Sequence, residues 1–101
     1  MKVYINHEKG TNPVIQNAVL WALDNKIQTS IVLGNVQFTC EVWNQFLKAM
    51  WHGFTEASKL SHGWAMRRKY DIVIVTDKGS RYVTKLWLDE DCKGLRYACL
   101  D

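Results

Sequence analysis

The segment from Lys69 to Leu88 constrains the fold more than any other part of this 101-residue chain. Two alternating stretches, Lys69 to Thr76 and Arg81 to Leu88, flank Asp77-Lys78-Gly79, and a short turn with Gly79 in the left-handed region joins such stretches into a hairpin. That turn pairs Thr76 with Ser80, and the rest of the register follows in steps. One face then holds Ile74 opposite Tyr82, Ile72 opposite Thr84, and Tyr70 opposite Leu86. The other holds Val75 by Arg81, Val73 by Val83, Asp71 by Lys85, and Lys69 by Trp87. An opposite-charge pair and a cation over an indole support this register. After a loop over Asp89 to Gly94, Leu95 to Leu100 completes a three-stranded meander. Arg96 joins the basic face if Leu95, Tyr97 and Cys99 turn inward.

Upstream, Lys2 to Asn6 reads as a short strand and His7 to Thr11 as a polar loop. Asn12-Pro13 is a helix start, with Asn as cap and Pro in the first helical position, for a helix running to about Asn25. Ile27 to Leu33 alternates, and Gly34-Asn35 turns the chain into Val36-Gln37-Phe38. Thr39 is expected to cap a second helix that runs to about Ser61, with Gly63 as its stop. The expected fold is one α+β domain over residues 1–101, in the order β-α-β-β-α-β-β-β. Two helices pack on one face of a mainly antiparallel sheet, and the meander is C-terminal.

Five tryptophans are more than one such core requires, and helical geometry sorts them. On the second helix, Trp43, Phe46, Leu47, Met50, Phe54 and Ala57 share a direction, which makes Trp43 a core residue. Trp51 stands at the edge of that stripe, and Gly53 lies on its other flank, where a neighbouring backbone can approach closely. On the first helix, Ile15, Ala18, Val19, Ala22 and Leu23 form the buried arc. Leu20 and Trp21 flank Asn17 and Asp24 on the opposite side. Either another part of the fold covers Leu20 and Trp21, or they form an exposed apolar patch suited to a partner or a second copy. Trp64 stands in a connection followed by Arg67, Arg68 and Lys69. It either lids the end of the helix or belongs to a docking segment.

Charge and composition exclude several classes. The hydrophobic share of 48% with one proline describes an ordered globule, and the longest apolar run, Ala18 to Leu23, is far too short to span a bilayer. Three irregularly spaced cysteines fit free thiols in a reducing, cytoplasmic setting. Cys40 is expected to be buried and structural. His7, His52 and His62 show no zinc-type spacing with cysteine or carboxylate, so no metal site or cofactor is expected. Phosphate-binding loops, dinucleotide fingerprints and nucleophile elbows are missing, and no catalytic residue is assigned.

What remains is recognition. Between Lys59 and Lys85 the cations Lys59, Arg67, Arg68, Lys69, Lys78, Arg81 and Lys85 face only Asp71 and Asp77. The expected function is therefore a non-enzymatic protein-binding module, in the manner of a small stoichiometric regulator or inhibitor. Its binding residues are Leu20, Trp21, Trp64, Arg67, Arg68, Lys69, Arg81, Lys85, Trp87 and Arg96. The alternative is a nucleic-acid-binding domain using residues 64–69 with Arg81, Lys85 and Trp87, because bases stack on aromatic rings and phosphates meet Lys and Arg. Net charge of +3 is modest for that role, and Asp89-Glu90-Asp91 adds acid beside it. Both readings accommodate a homodimer.

Overall fold

The computed structural model describes residues 1–6, 12–91 and 93–99, the side chain of Cys99 excepted. The expected loop over His7 to Thr11, Cys92, the inward turn of Cys99 and the end of the last strand at Leu100 lie outside those descriptions. Along the chain run β1 (Lys2–Asn6), α1 (Pro13–Asp24), β2 (Gln28–Val32), β3 (Asn35–Thr39), α2 (Trp43–Leu60), α3 (His62–Met66), β4 (Lys69–Val75), β5 (Arg81–Leu88) and β6 (Leu95–Cys99). The strands form one sheet in the order β2-β3-β1-β4-β5-β6, antiparallel at every step. This is the expected α+β class, with the short α3 added in the connection after α2.

Strand order explains why both long helices share a face. β1 and β2 are parallel with β3 between them, and α1 makes that crossing; β3 and β4 are parallel with β1 between them, and α2 makes that one. The two crossings travel in opposite directions between strands that themselves run in opposite directions. Right-handed connection in both cases therefore lays both helices on the same side. The opposite side of the sheet carries no helix among the described residues.

Local chemistry sets the element ends. Asn12 Oδ1 accepts from the backbone N–H groups of Val14 (3.0 Å) and Ile15 (3.2 Å), and the Tyr70 hydroxyl donates to the same oxygen (3.1 Å), tying β4 to the start of α1. At the other end, Ile27 N–H donates to Ala22 O (2.8 Å) and Lys26 N–H to Leu23 O (3.2 Å), with Lys26 at φ 62°. That is a Schellman closure with lysine where glycine is usual, anchored by buried Ile27.

The β2–β3 turn sits one residue earlier than expected. Leu33 (φ 50°) and Gly34 (φ 80°) form it, which is the type I′ pattern, and Asn35 opens β3. Thr39 is likewise not a helix cap. It closes β3, paired with both Lys2 and Gln28, so α2 starts only at Trp43, with Val42 as a cap that offers no side-chain hydrogen bond. The meander follows the expected register from Lys69↔Trp87 through Val75↔Arg81. Its turn is closed by Thr76 N–H to Ser80 O (2.9 Å), with Gly79 at φ 84°.

The core lies between the sheet and the helices. Val3 and Ile5, Val36 and Phe38, Tyr70 and Ile72, and Leu86 and Leu88 point inward from four strands, and meet Val14, Ile15, Ala18 and Ala22 of α1 and Phe46, Met50 and Phe54 of α2. Edge-on ring pairs Phe38–Phe46 (5.2 Å) and Phe54–Tyr70 (5.7 Å) fill its centre. Gly53 abuts α1 as the sequence suggested, so close that a Cβ there would lie 2.1 Å from Val14 O. This approach turns the buried arc of α1 toward Val14, leaving Val19 half-buried and Leu23 exposed, against expectation.

Candidate binding surface

Strand alternation builds the helix-free face. β1 contributes Lys2, Tyr4 and Asn6; β4 contributes Lys69, Asp71, Val73 and Val75; β5 contributes Arg81, Val83, Lys85 and Trp87. The register aligns Gln37, Tyr4, Val73 and Val83 in one row across four strands. Tyr4, Val73, Val75, Val83 and Trp87 are half-buried, shielding one another with no covering layer among the described residues, whereas Lys2, Lys69, Arg81, Lys85 and Arg96 are exposed around them. Asp71, exposed opposite Lys85, is the one carboxylate contributed by these β1, β4 and β5 positions.

A shallow groove of about 630 Å³ runs along part of this face, lined by Tyr4, Leu33, Asp71, Val73, Val75 and Arg81 together with Asn6 and Asn35. Leu33, at the tip of the β2–β3 hairpin, is 96% exposed at its border.

The expected site residues separate into distinct places. Lys69, Arg81, Lys85, Trp87 and Arg96 do share the open face. Lys69 Nζ lies 5.7 Å from the Trp87 ring centre, and Arg96 pairs with Trp87 across β5 and β6. Arg96 is not a free cation, however, because its Nε donates to Asp89 Oδ1 at 3.0 Å.

Trp64 belongs to α3, where the Ser61 hydroxyl caps its N–H (3.4 Å) and the Arg68 guanidinium lies 4.5 Å from its ring centre. Arg68 Nε also donates to Trp64 O (3.3 Å), so Trp64 and Arg68 satisfy each other at the helix end, and Arg67 is exposed beside them. Trp21 lies in the helical layer, half-buried and stacked on His52 of α2 (5.1 Å, 17° between planes). Intramolecular cover therefore accounts for Trp21 but not for Leu20, which is 60% exposed.

Trp43 is only half-buried at the rim of the core, against Phe46 (5.1 Å) and Tyr97 (5.5 Å). Trp51 borders a smaller groove with Leu47, Lys48 and Leu95.

Tyr4 and Leu33 are surface members that sequence reasoning missed. Tyr4 alternates correctly with Val3 and Ile5, but its neighbours depend on β1 entering between β3 and β4. The positive φ of Leu33 follows from the turn beginning one residue earlier. Cys40 is 3% exposed, and burial pushes its thiol up to about 11 against the weaker pull of the terminal ammonium, which leaves it protonated and inert near neutrality. Among the described residues no three His, Cys, Asp or Glu side chains gather where a metal could be held, and no helix is long and apolar enough to cross a membrane. Comparison with protein-family models, with curated proteins and with solved structures gave no match.

Proposed function

We propose that this chain is a non-enzymatic protein-binding module, acting stoichiometrically, that lays the open face of its sheet on an acidic surface of a larger protein. The observation that carries the reading is the arrangement of that face. Tyr4, Val73, Val75 and Val83 make an apolar centre, and Lys2, Lys69, Arg81 and Lys85 stand around it with Asp71 as the acidic exception. An apolar centre inside a polar, charged rim is the anatomy of a protein interface. Trp87 and Arg81 are residue types that anchor such interfaces, and the cation excess selects an acidic partner and speeds encounter with it.

Nucleic acid is the weaker reading, although Trp87 beside Lys69 and Lys85 has the right chemistry for it. Tyr4 and Trp87 stand two strands and four residues apart, about 16 Å by strand geometry, and the register sets the Asp71 carboxylate midway between them. That is too far for consecutive bases to stack on both rings. A cytoplasmic setting agrees with the buried free thiol of Cys40.

The test is capture from lysate on the immobilised chain, with and without nuclease, beside Trp87→Ala and the double variant Arg81→Glu, Lys85→Glu. A protein retained after nuclease and lost by both variants, with their circular dichroism unchanged, is the expected result. Equal capture by wild type and variants would refute the face. Retention only without nuclease, together with steeply salt-dependent binding of a labelled single strand, would transfer the assignment to nucleic acid.

A further inference from the structure

We infer that a second copy of this chain pairs with the free edge of β2, joining two sheets into one and closing the groove between α1 and β2. The groove measures about 570 Å³ and is lined by Ile15, Val19, Leu20, Thr29, Ile31 and Val36 with two polar neighbours. Its floor, Ile15 and Val36, belongs to the core, while its walls, Leu20 and Ile31, are 60% and 72% exposed.

Among the described residues β2 ends the sheet, and its sequence Gln28-Thr-Ser-Ile-Val32 contains no charge, proline or glycine. Proteins ordinarily protect such an edge with those residues, with a bulge or with a cover. β2 pairs with β3 without a bulge, and α1 stands beside the edge without covering Ile31.

The hairpin also fixes which groups the edge presents. A two-residue type I′ turn makes Val32 and Asn35 a hydrogen-bonded pair, so Gln28, Ser30 and Val32 direct their backbone groups to β3. Thr29 and Ile31 direct theirs outward. Antiparallel pairing of β2 with its own copy about a two-fold axis at Ser30 places each Thr29 opposite the other copy's Ile31. Each such pair then exchanges both of its hydrogen bonds. The same axis makes the two Ile31 side chains diagonal neighbours across the seam on the helix side and brings the two Leu20-bearing faces of α1 together, which is the self-complementarity a two-fold dimer requires.

Area supports a second copy. Leu20, Leu23, Ile31 and Val32, exposed by 60%, 54%, 72% and 37%, offer roughly 400 Å² of apolar side-chain surface. A stable interface of ordinary size takes about 800 Å² from each partner, a little over half of it apolar, and the strand backbone with Gln16, Gln28, Thr29 and Ser30 supplies polar area beside it. The charges where the chain passes from α1 to β2, Asp24 and Lys26, are opposite in sign. This interface uses the edge of the sheet and not its open face, so it stands or falls separately from the function proposed above.

Sedimentation velocity across a concentration series gives the first test, with a species of twice 11.8 kDa expected. Ile31→Glu, and separately Leu20→Glu, should raise the dimer dissociation constant about tenfold or more while the circular dichroism spectrum is kept, since both positions are mostly exposed. In a background carrying Cys92→Ser and Cys99→Ser, Ser30→Cys should form an intermolecular disulfide on mild oxidation, because the axis sets the two Ser30 positions within disulfide reach. Cysteine at Gln28 should not cross-link. A monomer at every concentration up to roughly 100 µM would overturn the inference, and so would a dimer that both glutamate variants leave intact.

Discussion

Gly53→Ala isolates the contact that sets α1 on α2, and so the shape of the groove beside β2. Within a helix, alanine is favoured over glycine by about 1 kcal/mol. Here the added Cβ would meet Val14 O at 2.1 Å, Val14 C at 3.0 Å and Ala18 Cβ at 3.2 Å. The nearest obstacle is backbone, so relief requires the helices to part by about 1 Å, which loosens the packing of buried Val14, Ile15 and Ala18 as well. Overpacking of this kind costs about 1–3 kcal/mol or more, and the backbone obstacle puts Gly53 at the upper end. The net loss is about 1–2 kcal/mol, a fall in Tm of roughly 5–15 °C for a domain of this size. Thermal unfolding followed by circular dichroism measures it. Gly63→Ala is the matched control, because its Cβ would have no neighbour within 4 Å, and it should leave Tm unchanged or raise it by a few degrees. A Gly53→Ala variant as stable as wild type would refute the close approach of the helices.

Lys26→Gly should raise Tm, by about 1 kcal/mol of stability, because it relieves a left-handed residue while keeping the Schellman bonds; an unchanged or lowered Tm counts against that geometry. Trp87→Ala should weaken partner binding by about tenfold or more, with a smaller change in Tm than Gly53→Ala, measured by titration with the captured partner. The Cys40 thiol is raised from 9.0 to about 11 by burial, so between those values the folded chain keeps a proton that the unfolded chain has released. The Cys40 contribution to stability should therefore fall as pH rises from 9 to 11 and level off above, so urea titrations should show a steeper loss over that range in wild type than in Cys40→Ala. Leu33→Asn should raise Tm by a few degrees and at the same time weaken partner binding, and a gain in stability without loss of binding would remove Leu33 from the surface.

The parts of the fold legible in the sequence are those decided by neighbours in the chain. Asn12-Pro13 announced α1 because its capping groups are local, and Asp77-Lys78-Gly79 fixed the β4–β5 register because one turn determines every pair beyond it. That register also delivered most of the candidate surface, including Lys69 against Trp87 and Asp71 against Lys85. What depended on distant partners was not legible. Thr39 has the side chain of a helix cap, yet pairing with Lys2 on one side and Gln28 on the other holds it in the sheet. Whether Trp21 is covered stayed open because its cover, His52, comes from another helix, and Leu23 looked buried because the rotation imposed at Gly53 comes from that helix too. Tyr4 joins the surface only through the entry of β1 between β3 and β4.

Among the described residues, two other than glycine hold positive φ, and the contrast between them bears on function. Lys26 does so where the chain must leave α1, and the bonds to Ala22 and Leu23, with Ile27 buried behind them, over-determine its conformation. Leu33 occupies a turn position that asparagine or glycine would fill with less strain, and its side chain, 96% exposed, gains almost no burial in return. Folding alone gives no reason for leucine there. Its place at the border of the groove formed with Tyr4, Val73 and Arg81 does give one, because an apolar group held out on a rigid hairpin tip recovers its exposure only when a partner covers it. The strain at Leu33 and the uncovered row of Tyr4, Val73 and Val83 therefore share an explanation. Each is costly in the isolated chain, and both would be relieved by the partner surface proposed for the open face of the sheet.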